Sequence, residues 1–115
     1  MGYKTPSIQT LLKQLGPEYE ICTIDLENCL FRDLKNGYNV EISGANGRGI
    51  KQRITLYLWF GTKCGYNIMI SKIRNVERSA EAISNAVEIL KEFTDNLVEC
   101  GYDSGEALRK VYLYL

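Results

Sequence analysis

Between Tyr38 and Ile70 apolar side chains recur at every second residue of three short runs, and on both sides of that stretch they recur at every third or fourth. That switch of period is the strongest constraint on the fold. Alternate residues line one face of a strand, whereas a helical face repeats about every 3.6 residues. Tyr38, Val40 and Ile42 alternate first, then Ile54, Leu56, Leu58 and Phe60, then Ile68 and Ile70. Gly44, Gly47 and Gly49 with Asn46 suit an irregular hairpin loop, and Gly61 and Gly65 bracket a second turn. Links this short predict an antiparallel meander of three strands.

The flanking segments read as helices. Thr5 as N-cap and Pro6 at the first helical position open a helix over Ser7 to Leu15, with Ile8, Leu11, Leu12 and Leu15 on one face and Gly16-Pro17 as its stop. Residues 18–24 alternate without a clearly polar face and read as a connector. A second helix is expected from Asp25 to Asn36, striped by Leu26, Cys29, Leu30 and Leu34 and stopped by Asn36-Gly37. From about Val76 the helical period returns in Ile83, Ala86, Val87, Leu90, Phe93, Thr94 and Leu97, and Gly101 ends it. Asp103 with Glu106 resembles a capping box for a last helix carrying Leu108, Val111, Tyr112 and Leu115. The expected fold is α+β, a three-stranded antiparallel β-meander packed against helices in the order α-α-β-β-β-α-α. It forms a single domain over residues 1–115, with 1–24 as N-terminal helix and connector and 25–115 as an α-β-β-β-α-α body.

Composition then narrows the chemistry. With 115 residues, 45% of them apolar and 24% charged, one core is feasible without covalent staples. Apolar runs such as Ile54 to Phe60 are far short of the roughly 20 residues that cross a bilayer, and a protein inside the cell is expected. The chain has no histidine, which removes the commonest general base and metal ligand together with every Ser-His or Cys-His arrangement. Cys22, Cys29, Cys64 and Cys100 form no CxxC pair, so free thiols are expected, with no metal and no cofactor. Gly44 to Gly49 invites comparison with a phosphate loop, but it joins two strands and lacks the lysine-serine/threonine pair, so it reads as a hairpin loop. The expectation is a protein that binds and does not catalyse.

Fourteen acids balance fourteen bases, yet they are segregated. From Lys35 to Arg78 there are eight bases against Glu41 and Glu77 alone, so the rest of the chain is as acidic as this part is basic. Glu92, Asp95, Glu99, Asp103 and Glu106 make a candidate acidic face for a partner, able to imitate the charge line of a DNA backbone. Arg48, Lys51, Arg53 and Lys63 make an alternative basic face, on which Tyr57 and Trp59 could stack bases. Trp59 itself reads more readily as core under a helix.

One segment carries a resemblance. Asn28-Cys-Leu-Phe-Arg32-Asp-Leu-Lys35-Asn36-Gly-Tyr38-Asn-Val40-Glu-Ile42-Ser43-Gly44, followed by Ile50 and Gln52, resembles the small phage anti-CRISPR proteins that inhibit the type II RNA-guided DNA nuclease. The resemblance implies an α-β-β-β-α-α fold and a non-enzymatic DNA mimic, acting in the cytoplasm of a bacterial host, that blocks the DNA-binding or PAM-reading surface of a CRISPR-associated nuclease or its guide complex. Where that family has an acidic, asparagine-rich loop this chain reads Gly61-Thr-Lys63-Cys-Gly65, which leaves Asp95, Glu99, Asp103 and Glu106 as the substitutes. The alternative is a small nucleic-acid-binding module of α-β-β-β-α type. Net neutrality and the Val76-Glu77-Arg78-Ser79 start of the long helix count against it. A homodimer, through the first helix or an exposed cysteine, stays open.

Overall fold

The computed structural model describes residues 6–24, 26–45, 53–61 and 68–112. One row of apolar side chains crosses the whole sheet: Ile21, Leu30, Ile42, Leu56 and Ile73 stand opposite one another on five successive strands. The strands are β1 (Tyr19–Ile24), β2 (Glu27–Asp33), β3 (Tyr38–Ser43), β4 (Ile54–Phe60) and β5 (Ile68–Val76), each antiparallel to the next and laid side by side in chain order. The helices are α1 (Ile8–Leu15), α2 (Ala80–Glu99) and α3 (Gly105–Tyr112). Ile8 and Leu11 of α1, Ile83, Val87 and Leu90 of α2 and Leu108 of α3 join that row in one core cluster, so all three helices contribute to the same side of the sheet.

The three-stranded meander and the second helix are therefore corrected. Residues 18–24, read as a connector, supply β1, and the expected helix over 25–36 is β2 and the turn after it. Helical spacing of Leu26, Cys29, Leu30 and Leu34 is coincidental. Cys29, Leu30 and Phe31 are all buried in succession, a pattern that a strand covered on both faces produces and an amphipathic helix does not. Leu26 is no part of a buried stripe: it is 99% exposed with φ 66°, in the two-residue link left when Ile24 pairs with Glu27. The segment that resembles the anti-CRISPR proteins thus holds a strand where their helix is expected. From Tyr38 onward the expected order of three strands and two helices is kept.

Serine caps each helix among the described residues. Ser7, Ser79 and Ser104 accept from the backbone N–H groups of Thr10, Ala82 and Ala107, satisfying donors that have no partner inside the helix. The N-caps are thus Ser7 and Ser104, displacing the expected Thr5 and Asp103, and α2 begins after Ser79, because Val76 still belongs to β5. Edge strand β5 carries two register shifts, a positive φ at Asn75 and exposed Lys72 and Arg74. Bulges and charge of this kind discourage pairing with another chain.

Gly44 closes β3 with φ 95°, and a Cβ there would lie 2.6 Å from the Arg53 carbonyl oxygen. Gly101, after α2, has a similar φ of 94° but open space around it. Strain alone is expected to cost Gly101→Ala about 1 kcal/mol. Gly44→Ala adds a backbone collision and is expected to cost about 3 kcal/mol or more. Denaturant unfolding of the two variants checks the difference, and equal losses would show that β4 does not approach β3 so closely.

Candidate docking face on the long helix

Helix α2 has a buried side made by Ile83, Ala86, Val87, Leu90 and Thr94. At about 100° per residue, Glu81, Glu88, Glu92, Asp95 and Glu99 fall within an arc of roughly 60° on the opposite side. The stripe runs about 27 Å along the axis. Of the residues expected to form the acidic face, the structure brings Glu92, Asp95 and Glu99 together and adds Glu81 and Glu88. Asp103 and Glu106 lie beyond the reversal at Gly101, on the approach to α3 and in its first turn. Asp103 is close enough to Tyr38 to help raise the phenol pKa, an effect in which burial of the ring is the larger cause.

Two of the five carboxylates are engaged. Arg32 Nη1 lies 3.1 Å from Glu88 and 3.3 Å from the Tyr19 hydroxyl, with its guanidinium 5.3 Å from the Tyr19 ring centre, so this side chain clamps β1, β2 and α2 together. Lys91 Nζ lies 2.9 Å from Asp95, whose other oxygen accepts from the Asn36 amide at 2.8 Å. Both bonds hold the Asp95 carboxyl below its ordinary pKa, Asn36 the more strongly. Glu81, Glu92 and Glu99 have no such partner among the described residues. A shallow depression of about 340 Å³ lies on this side of α2, bordered by Glu88, Ile89, Glu92 and Asn96.

The opposite face of the sheet has different chemistry. A row there reads Glu20, Phe31, Glu41, Tyr57 and Lys72 across the five strands, beside Asn39, Trp59 and Met69. Trp59 is therefore not core under a helix: it points away from Leu56 and Leu58, half-buried, and its indole N–H finds no acceptor among the described residues. Of the alternative basic face only Arg53 can be placed, donating to the Asn75 carbonyl, since Arg48, Lys51 and Lys63 lie outside the described residues. Glu20, Glu27, Asp33 and Glu41 all share the face of Tyr57 and Trp59. Four carboxylates beside two aromatic rings oppose a phosphate backbone.

A groove of about 1110 Å³ runs beside the β2–β3 turn, lined by Arg32, Lys35 and Lys91 together with Glu18, Glu20, Asp33 and Asp95. Charges of both signs line it, which selects no ligand of one sign. Among the described residues no group of three or more Cys, Asp or Glu could hold a metal ion, and no helix is long and apolar enough to cross a membrane. The chain matches no family model, no curated protein and no solved structure. Function rests on the geometry of the chain itself.

Cys22 and Cys29 stand directly opposite each other on β1 and β2, both buried, while Cys100 is exposed. Burial first, then the charges of Glu27 and Glu41, push the Cys29 thiol up to about 12. Because the thiolate is the nucleophile, iodoacetamide at pH 8 is expected to label Cys100 at least about a hundredfold faster than Cys29. Peptide mass mapping checks this, and equal rates would contradict the burial.

Asn36→Ala should return the Asp95 carboxyl toward its ordinary pKa, read by an NMR titration of that side chain. The sign follows from a depressed folded-state value. The contribution of this carboxylate to stability is present above its unfolded-state pKa and is lost as pH falls through the folded-state one. The variant and the parent should therefore differ less in stability at low pH than at neutral pH.

Proposed function

We propose that this protein is a non-enzymatic binder that lays the acidic side of α2 on a basic, DNA-accepting surface of another protein and blocks it. The observation that carries the reading is the alignment of five carboxylates along one side of a helix whose other side is fastened to the core. Such an array attracts a positively charged cleft, speeds encounter and repels nucleic acid. A CRISPR-associated nuclease is the partner named by the resemblance of the segment around β2 and β3, and its PAM-reading cleft, lined by arginines, has the required charge. The resemblance lies in Asn28 to Gly44 with Ile50 and Gln52, and beyond that segment only the order of elements supports it.

Glu92 and Glu99 are the residues to reverse, because they are exposed and hold no intramolecular partner among the described residues. Asp95 is a poorer choice, since it is tied to Asn36 and Lys91. Glu92→Lys with Glu99→Lys is expected to weaken binding to a guide-loaded type II nuclease by about a hundredfold and to relieve inhibition of guided DNA cleavage, with the melting temperature nearly unchanged. Wild-type protein that neither binds nor inhibits any of a panel of type II nucleases would remove this partner from consideration. A salt-sensitive shift of duplex DNA by the wild-type protein would instead revive the nucleic-acid-binding alternative.

A further inference from the structure

The stripe on α2 carries one carboxylate per about 7 Å of axis, against one phosphate per about 3.4 Å along a DNA strand. Arg32 and Lys91 offset two of the five, leaving a net of three negative charges. Charge of this density is a weak imitation of nucleic acid, and the stripe does not stand alone. Ile89 and Phe93, one turn apart on the flank next to it, are 63% and 44% exposed. Phe93 is expected in the core from its spacing, yet it lies at the margin of the buried side.

These two side chains belong to a longer line. Ala82, Ile89, Phe93, Asn96 and Cys100 follow one another at seven, four, three and four residues, spacings that keep side chains on one side of a helix and suit it to a second helix. Along that line Glu92 and Glu99 take flanking positions, where charged side chains choose a partner by sign. The flank is therefore an apolar seam with a negative border.

We infer that this seam receives one amphipathic helix of the partner protein, with apolar side chains against Ile89 and Phe93 and lysine or arginine against Glu92 and Glu99. The inference rests on the reading of α2 as the docking side and names the structural class of what docks there. Duplex DNA and an anionic membrane share the sign of Glu92 and Glu99 and are repelled. A second copy of this seam would bring carboxylates against carboxylates, which also disfavours it.

The test measures fluorescence anisotropy of three labelled helical peptides built on heptads. One has leucine at a and d with lysine at e and g, a second replaces the leucines by serine, and a third replaces the lysines by glutamate. The leucine–lysine peptide is expected to bind at least about tenfold tighter than either of the others. Ile89→Ser with Phe93→Ser should erase its advantage over the serine–lysine peptide while leaving the thermal melt unchanged, because both side chains are exposed. Glu92→Gln with Glu99→Gln should weaken binding and flatten its salt dependence. Equal binding of the two lysine peptides would overturn the inference and leave docking by charge intact. Binding of neither would overturn both. A concentration-dependent dimer in sedimentation that Ile89→Ser with Phe93→Ser abolishes would assign the seam to a second copy and overturn the basic partner.

Discussion

The placement of α2 depends on a small polar junction at the turn between β2 and β3. Asn36 donates through one amide nitrogen to Thr94 Oγ1 and Asp95 Oδ1, both at 2.8 Å, while its oxygen accepts from the Tyr38 backbone N–H. Thr94 is fully buried on the core side of α2, and its hydroxyl donates in turn to the Lys91 carbonyl. Two residues on, the Tyr38 hydroxyl donates to the Tyr102 carbonyl at 2.6 Å, and its ring meets Phe60 edge-on. A turn of the sheet thereby fixes both the rotation of α2 about its axis and the position of the chain leaving it. Were the helix turned by about half a revolution, the carboxylates would face the sheet, and the desolvation cost of burying them would be prohibitive.

Around that junction the molecule divides its polar groups by task. Glu27 accepts from the Ser43 hydroxyl and the Gly44 N–H and so pins the end of β3 against β2. Arg78 donates to the Pro6 and Ala45 carbonyls, joining the entry of α1 to the start of α2. Both charges come from segments that composition sorts into an acidic and a basic part, yet here they act locally as structural ties. The outer side of α2 is where ionised groups remain in a line, and for that reason the functional reading rests there and not on the overall division of charge along the chain.

The extent to which this architecture can be read from the chain differs from element to element. Strands β3 and β4 are plain because they alternate strictly, Tyr38 to Ile42 and Ile54 to Phe60, with one face in the core. Strands β1 and β2 are hidden, because Cys22, Cys29 and Phe31 are buried on the face away from the helices and spoil the alternation that marks a half-exposed strand. The turn between them carries no glycine or asparagine to announce a hairpin, only Asp25 and Leu26. The acidic side of α2 is visible as composition, but Asp103 and Glu106 are set apart from it by Gly101, a reversal that spacing of charges cannot foretell. Phe93 shows the same limit: period places it within the apolar half of the helix, and only the packing of Leu90 and Leu97 beside it decides that it stays at the rim.

All three helices contribute to one core on a single side of the sheet, while the outward side of α2 takes no part in that core. Glu81, Glu92 and Glu99 on that outward side can be exchanged with little thermodynamic penalty, since no buried neighbour must repack when they change. Were that side to dock a target as proposed, recognition could be retuned by drift at these positions while the scaffold is inherited unaltered.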